Sequence, residues 1–464
     1  MENFDAIIIG SGQGGTPLAK KLAEAGFKTA LIERRWVGGT CINDGCTPTK
    51  AMIASAKMIY FLKKSSELGI IVPKFHINIE TVIERQQKMV ESFRNGSEKK
   101  LLATKNLQLI YGEASFFGAK KLKIQMNNGK VKEATAERIF IDTGTRPAIP
   151  KIKGLDEIPY LTSTSILNLK KLPEHLLIVG SGYVGLEFGQ MYSRFGSKVT
   201  LLERSERILK KEDEDVASEV HKILSEESIE IKVNSSPISF RKSNAGIDAV
   251  ILQNNREETV RCSHVLIATG RTPNTERLNL DSTGVSANES GFINVDCHLE
   301  TNVKGVYALG EVNGGPAFTH ISYNDYVIIY NNLVHRNSHS TNNRLIPFCM
   351  YIDPQFARVG ITEQEARARE LNFKIAELPM TSVARAIETS ETRGFMKAVV
   401  DAETKNILGA AVLGAEGGEM MSMLQMAMIG NIKSDILRDT IFAHPTYAES
   451  INNLFAKLRN ETIN

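Results

Sequence analysis

Cysteine is scarce in this chain: five among 464 residues, with Cys262, Cys297 and Cys349 isolated. So few thiols exclude the disulfide framework of a small secreted protein. What remains is one close pair, Cys41 and Cys46. Long apolar runs are also missing, and without about 18 consecutive apolar residues no transmembrane helix is expected. Met1 to Gly10 shows neither the charged start nor the long apolar core of a secretory signal. Excess charge of one sign is absent as well: 56 basic and 53 acidic residues leave +3, with no basic block. That balance offers nucleic acid or an anionic membrane no electrostatic handle, so neither partner is expected. The expectation is a soluble cytoplasmic protein without a metal site, too long for one core and divided into about two to four domains.

The cysteine pair sits in Gly38-Gly39-Thr40-Cys41-Ile42-Asn43-Asp44-Gly45-Cys46-Thr47-Pro48-Thr49-Lys50. In an ideal helix an i,i+5 pair is separated by about 7.5 Å along the axis, beyond the roughly 4.4–6.8 Å between Cα atoms that a disulfide spans. A bond between them therefore predicts a distorted turn. Gly45 relaxes the backbone there, and Pro48 lacks an N–H where the first turn of a helix can spare one. Strained disulfides are the easily reduced ones, which suits redox chemistry better than a structural staple.

Phe4-Asp5-Ala6-Ile7-Ile8-Ile9 reads as a buried parallel strand. Gly10-Ser11-Gly12-Gln13-Gly14-Gly15 follows, then a helical stretch from Thr16 to Ala25. Glycines at Gly10, Gly12 and Gly15 permit a tight turn and close backbone approach, and the helix N-terminus attracts a diphosphate. A second strand, Thr29 to Ile32, ends in Glu33, placed to accept hydrogen bonds from a ribose diol. The pattern returns at Leu176 to Val179, with Gly180, Gly182 and Gly185 in the turn, a helix through Ser193, and Ser197 to Leu202 ending in Glu203. Two units imply two dinucleotides, one resident and one exchanging, because a hydride needs a donor and an acceptor.

Ile139 to Pro147 closes the first lobe with a strand and turn, and Val265 to Asn274 repeats that signature after the second. The echo supports nested, duplicated domains. Gly305 to Glu311 reads as a further strand ending in an acid, followed by a helix from Thr319 to Leu333. The polar stretch from His335 to Arg344 marks a boundary. Beyond it, strands at Phe395–Val400 and Ile407–Leu413 accompany a methionine-rich helix, Glu419 to Ile429, expected to pack in a core or interface.

With this cysteine loop, two nucleotide units and the terminal His444-Pro445-Thr446-Tyr447-Ala448-Glu449, the chain resembles the flavin-dependent pyridine nucleotide–disulfide oxidoreductases. That family includes dihydrolipoamide dehydrogenase, glutathione reductase and mercuric reductase. The resemblance runs nearly end to end. It implies an α/β fold of two nested Rossmann-like domains, for FAD and NAD(P), plus a C-terminal α+β dimerisation domain. The implied division is 1–148 for the first part of the FAD domain, 149–272 for NAD(P), 273–344 for the second, central part, and 345–464 for a homodimer interface. Cys46 would be the thiolate against the flavin and Cys41 the outer thiol that meets substrate. Lys50 would lie near the flavin N5 and pair with Glu187, which contacts the nicotinamide; a cation there helps lower a thiol pKa. His444 would reach the partner subunit's disulfide as acid–base, oriented by Glu449. Such a base is needed because only a thiolate attacks a disulfide.

The resemblance further implies FAD contacts from Arg34, Gly39, Thr40, Gly112, Thr143, Gly144 and Gly310, and nicotinamide-side contacts from Gly270 and Arg271. One departure is Gly310-Glu311, where the family generally has Gly-Asp; the extra methylene is expected to shift that flavin contact. Glu203 favours NADH over NADPH, since a carboxylate accepts a ribose 2′-OH and repels a 2′-phosphate, although Arg204 and Arg207 follow immediately.

For substrate, Asp353-Pro354-Gln355, Ala384-Arg385-Ala386 and Thr392-Arg393-Gly394-Phe395 resemble the mercuric reductase branch. The sequence shows neither that enzyme's N-terminal CxxC domain nor a vicinal cysteine pair in Phe455 to Asn464, so efficient Hg(II) hand-off is not expected. A lipoyl dithiol is the favoured substrate, with mercuric and glutathione reductase-like activities as the alternatives. Pro316-Ala317-Phe318-Thr319-His320 departs from the usual dihydrolipoamide dehydrogenase sequence.

Overall fold

The computed structural model describes residues 1–244 and 246–460; the last four positions of the tail read above lie outside the described residues. Strand β1 (Glu2–Ile9) runs parallel between β2 (Thr29–Glu33) and Val131–Ile141. Ala6, Ile7, Ile8 and Ile9 are all buried, because a parallel sheet is covered on both faces. Helix α1 (Gly15–Glu24) connects β1 to β2 and buries Leu18, Ala19, Leu22 and Ala23. Val306–Ala308 returns from far along the chain to complete this sheet beside Val131–Ile141. The first nucleotide unit is therefore closed only after the second has been inserted, the nesting that the repeated signatures predict.

The second unit is a five-stranded parallel sheet in the order Ile229–Lys232, Lys198–Leu202, His175–Val179, His264–Ile267, Leu161–Thr162. The two closing turns meet each other, as Arg271–Pro273 pairs antiparallel with Thr145–Pro147. A six-stranded antiparallel sheet follows, with Phe395–Asp401 and Ile407–Gly414 at its centre. The methionine helix Gly417–Ile429 packs on it through Met420, Met421 and Leu424 while Met426 and Ile429 remain exposed. Core and surface thus share the methionine stripe.

Helix α2 (Gly39–Asn43) stops at Asp44, and helix α3 (Cys46–Lys64) restarts immediately after Gly45. The cysteine loop is this break between two helices, as the disulfide geometry predicts. A Cβ on Gly45 would lie 2.9 Å from the Thr40 carbonyl, so only glycine fits. Asn43 fastens the break: its amide donates to the carbonyls of Val37 at 3.0 Å and Gly39 at 2.9 Å, and its carbonyl accepts from Arg94 Nε at 2.8 Å.

A buried charge network holds α3 against the rest of the molecule. Arg194, on the Tyr183–Phe195 helix, donates to Glu227 at 2.7 Å and to Asp353 at 2.8 Å, and its guanidinium lies 4.4 Å from the centre of the Tyr60 ring on α3. Arg393 covers the same ring at 4.3 Å. Burial alone would raise the Asp353 carboxyl, yet Arg194, Lys57 and Arg393 hold it below the usual carboxylate range. Replacing Arg194 by Met would strip the network of its most buried cation and leave Asp353 and Glu227 to Arg393, with Lys57 also beside Asp353. The expected cost is about 1.5–3 kcal/mol, the worth of hydrogen bonds to charged groups, read as a lowered guanidinium unfolding midpoint.

Candidate active site

Cys46 and Cys41 open into one cavity of about 880 Å³. The two thiols are in hydrogen-bond contact, and their proton affinities move in opposite directions. The contact with Cys41 is the largest influence on Cys46. Burial opposes it, but a hydrogen bond with Thr319 and the charge of Lys50 assist, bringing Cys46 down to about 6. Cys41 is pushed up, first by the same contact and then by burial. The pair is thus polarised, with the thiolate favoured at Cys46 and the proton favoured at Cys41.

Thr319 reaches this site from across the chain, with its Oγ1 3.3 Å from Cys46 Sγ at the start of the Thr319–Val334 helix. Lys50, one turn into α3, donates to Glu187 Oε2 at 2.7 Å, and the other Glu187 oxygen accepts from the Tyr351 backbone N–H at 2.7 Å. Burial would lower the Lys50 ammonium, but the adjacent carboxylate more than offsets this and raises it. The Tyr351 ring adds a face 4.9 Å from Lys50 Nζ. Glu187 is not a solvated helix residue, being only 6% exposed, and it holds the 33% exposed Lys50 in an ion pair. Cys349 also lines the cavity, its thiol pushed by burial to about 12, so it stays protonated at neutral pH.

The first glycine turn forms the far end of the same cavity. Gly10 adopts φ +103°, and a Cβ on Gly15 would lie 2.2 Å from the Gly10 carbonyl, so turn and helix touch backbone to backbone. Glu33 Oε2 accepts from Ser11 N–H at 3.1 Å and Ser11 Oγ at 2.6 Å, and Oε1 accepts from Arg35 N–H at 2.8 Å. Arg34, Gly39, Thr40, Gly112, Thr143 and Gly144 line this region as the resemblance implies, whereas Gly15 and Gly310 lie behind the wall. The chemistry suits a dinucleotide: Thr143 Oγ1 is buried without a hydrogen-bond partner among the described residues, and the cavity runs unbroken from the glycine turn to Cys46. FAD fits these residues.

Glu311 lines the cavity too, but its carboxylate turns sideways, accepting from the Thr145 hydroxyl and from Arg271 Nε, the latter at 2.9 Å. Arg271 also donates to the Thr145 carbonyl at 2.9 Å. The shifted contact expected of the longer acid is thus a cross-link between the two nucleotide units. Arg271, expected on the nicotinamide side, is occupied by that link.

The second turn repeats the first. Gly180 has φ +106°, a Cβ on Gly185 would lie 2.1 Å from the Gly180 carbonyl, and Glu203 accepts from the Ser181 hydroxyl and from Ser205 N–H at 2.7 Å. Gly182 is exposed and a Cβ on it would meet nothing within 4 Å. This cradle opens to the surface, whereas the first is sunk in the cavity. Gly180, Gly182, Gly185, Glu203 and Gly270 do not line the cavity of the thiols. Glu187, on the helix that starts at this turn, makes the link.

His444 Nδ1 lies 2.8 Å from Glu449 Oε2, the pairing that the resemblance implies. His444 is exposed, and neither residue lines the cavity, so one chain does not bring them to the thiols. The histidine that does line it, His320, has Nε2 2.6 Å from the Pro347 carbonyl and is held below the usual histidine range by burial. Sequence reasoning missed Thr319, Tyr351, Ser11 and Ser181. The serines carried a signal, since each turn reads Gly-Ser-Gly before an acid-ended strand. Thr319 and Tyr351 carried none.

Comparison with known proteins agrees with this geometry. The family described as pyridine nucleotide-disulphide oxidoreductase matches residues 4–325, and its dimerisation domain matches 346–455. The chain is 36% identical over 465 residues to a probable pyridine nucleotide-disulfide oxidoreductase RclA of Escherichia coli K12, covering 99% of this chain and 100% of that one. It is 32% identical over 473 residues to a dihydrolipoyl dehydrogenase of Thermus scotoductus, covering 100% and 99%. A mercuric reductase of Lysinibacillus sphaericus is 33% identical over 450 residues, covering 97% and 82%. Among solved structures, the Cu(II) complex of the HOCl-induced flavoprotein disulfide reductase RclA from Escherichia coli superposes with a TM-score of 0.90 at 35% identity, covering 98% and 99%. Members of this family use FAD and NAD(P)H. A cavity joining a dinucleotide cradle to a polarised thiol pair, on a fold shared over nearly the whole length, places this chain in the pyridine nucleotide-disulphide oxidoreductase family as a flavoprotein disulfide oxidoreductase.

Proposed function

We propose that this protein passes two electrons between NADH and a small disulfide or dithiol, with a lipoyl group as the favoured partner, through Cys41 and Cys46 of a homodimer. The observation that carries the reading is the surroundings of Cys46: Cys41 and Lys50 line the same cavity, Thr319 Oγ1 lies 3.3 Å from its sulfur, and these neighbours favour its thiolate. FAD would be held by Gly10, Gly12, Gly15 and Glu33, with Thr40, Gly112, Thr143, Gly144, Gly310 and Glu311 along its length. The nicotinamide nucleotide would be held by Gly180, Gly182, Gly185, Glu203 and Gly270. FAD, when bound, takes the hydride of NADH and delivers the electron pair to sulfur.

Reduction of the Cys41–Cys46 disulfide leaves a thiolate on Cys46 and a thiol on Cys41. Cys41, once deprotonated, attacks a substrate disulfide and expels one substrate sulfur, which takes up a proton. Cys46 then attacks the Cys41 sulfur, restoring the disulfide and releasing the second substrate thiol. The balance is NADH, one proton and one disulfide giving NAD⁺ and two thiols; oxidation of a lipoyl dithiol runs the same steps backwards. Cys41, with its raised proton affinity, needs a base. His444 of the partner subunit fills that role: the pair with Glu449 orients the ring, and Nε2 has no hydrogen bond among the described residues. The match to the family's dimerisation domain over 346–455 supports the two-fold assembly.

Preference for NADH rests on Glu203, whose carboxylate is fixed at the turn by Ser181 and Ser205. Of the two cations that could take a 2′-phosphate, Arg207 is committed to the carbonyls of Glu212 at 3.0 Å and Lys210 at 3.3 Å, while Arg204 is exposed. The lipoyl preference draws on the full-length similarity to a dihydrolipoyl dehydrogenase.

In the two-electron-reduced enzyme the Cys46 thiolate should give a long-wavelength absorption band that Cys46→Ser abolishes. The band should fade as pH falls through about 6, because protonation removes the thiolate. Thr319→Val removes a stabilising hydrogen bond and should move that midpoint up by about 0.5–1 unit. A band that survives Cys46→Ser would sink the assignment. Mixing inactive Cys41→Ser and His444→Ala proteins should restore about a quarter of the activity, since each hybrid dimer has one intact site; no recovery after confirmed subunit exchange would exclude a shared site. In a steady-state panel of lipoamide, glutathione disulfide and Hg(II)–thiol complexes, lipoamide should turn over fastest. NADH should exceed NADPH in kcat/KM by about tenfold or more, and Glu203→Ala should narrow that ratio.

A further inference from the structure

The two glycine turns are so alike that one difference between them stands out as chemistry. Asp142 and Ala268 occupy equivalent places, each following the closing strand of its unit. Asp142 N–H donates to the Ile9 carbonyl at 2.8 Å, and Ala268 N–H donates to the Val179 carbonyl at 2.9 Å. Their own carbonyls would meet a Cβ on Gly10 at 2.3 Å and on Gly180 at 2.5 Å. The first unit has therefore placed a carboxyl where the second has a methyl. Asp142 is 7% exposed and lines the cavity. Its Oδ2 accepts from the N–H of Gly15, the first residue of α1, at 2.7 Å. Its Oδ1 accepts no hydrogen bond among the described residues.

A buried carboxyl under a helix N-terminus that is to receive a diphosphate poses an electrostatic conflict. As an anion it would repel the ligand and occupy a donor the ligand could use. As a neutral acid it accepts from Gly15 through one oxygen and offers a proton from the other. The groups facing it decide between these. Asp325 on the Thr319–Val334 helix is paired with Arg344 at 2.6 Å and accepts from Gly310 N–H; Glu311 is paired with Arg271; Glu33 on β2 is bound by Ser11 and Arg35. All three are carboxylates; Arg344 and Arg271 are occupied by Asp325 and Glu311, and the Arg35 guanidinium is turned to Asp44. Burial foremost, with repulsion from Asp325, Glu311 and Glu33, pushes the Asp142 carboxyl well above its ordinary range, against a smaller opposing effect from Gly15 N–H.

We propose that Asp142 is a cofactor-positioning residue specific to the first nucleotide unit: a neutral carboxylic acid that caps α1 and donates a hydrogen bond to the FAD diphosphate. The inference rests on the proposed assignment of FAD to the first glycine turn. The sign of its pH dependence follows directly. A carboxyl whose proton is held above the ordinary range loses it as pH rises through the raised value, so FAD is held more tightly on the acid side of that transition and loosens towards alkaline pH. The open second turn, with Ala268, lacks this device.

The test is FAD release from purified holoenzyme, followed by the recovery of free-flavin fluorescence across the neutral to alkaline range. Asp142→Ala should release FAD about tenfold faster than wild type at the neutral end, the worth of one hydrogen bond to a charged acceptor. The ratio of the two rates should fall as pH rises. Asp142→Asn keeps an acceptor for Gly15 and a donor for the ligand, so it should hold FAD nearly as wild type does at the neutral end and lose the pH dependence. Release from Asp142→Ala as slow as from wild type, or a ratio that grows with pH, would overturn the inference. Glu33→Ala separates the two layers: it should loosen FAD at every pH. If it does so while the Asp142 variants behave as wild type, only the role of Asp142 fails; if it leaves release unchanged, the placement of FAD on this turn fails and the inference with it.

Discussion

The Lys50–Glu187 pair is the contact on which the geometry of the site depends. Lys50 belongs to the helix that begins at Cys46, Glu187 to the helix that begins at the second glycine turn, and the remaining Glu187 oxygen is tied to the Tyr351 backbone beside the C-terminal sheet. Three separately built parts thus converge on one carboxylate. A buried ion pair is costly to desolvate and stabilises little by itself, so its presence argues for a role in placing charge. Here the charge placed is that of Lys50, which joins Cys41 and Thr319 in favouring a thiolate at Cys46. The Arg194–Asp353–Glu227 network, further along the same helix, keeps that helix in register with α3 through Tyr60.

Duplication explains much of the molecule, and departures from it explain the rest. Both turns use a serine to hold the acid of the second strand, both place a glycine where the helix meets the turn, and both end in a short closing strand. The closing strands then pair with each other, and Arg271 reaches back to Glu311 and Thr145. Burial distinguishes the units: the first turn is enclosed in the cavity of the thiols, the second faces solvent. Enclosure suits a cofactor that stays, and exposure suits one that must leave after each turnover.

Legibility in the sequence followed the range of the interactions. The glycine turns, the acids after the second strands and the break at Gly45 depend on neighbours within a few dozen residues, and all stood where the pattern placed them. The pairings of Lys50 with Glu187 and of His444 with Glu449 came through the likeness to a known family, and the geometry of both agrees with it. Thr319 could not be read, because nothing near it in the chain distinguishes a helix-starting threonine from one that meets a sulfur 273 residues away. Glu311 lines the cavity where the flavin contact is expected, but its bonds to Thr145 and Arg271, a product of the paired closing turns, could not be read from the chain.

By itself the sequence determined the two nucleotide units and the thiol pair, because local hydrogen-bond geometry and glycine sterics leave few other uses for those patterns, and the likeness of its motifs to a known family supplied the rest. Only the tertiary structure decided that Thr319 meets Cys46, which turn is enclosed, and what surrounds Asp142 where the second unit has Ala268. Those are matters of electrostatics and desolvation, which depend on what surrounds a group in space, and the surroundings are assembled from segments far apart in the chain.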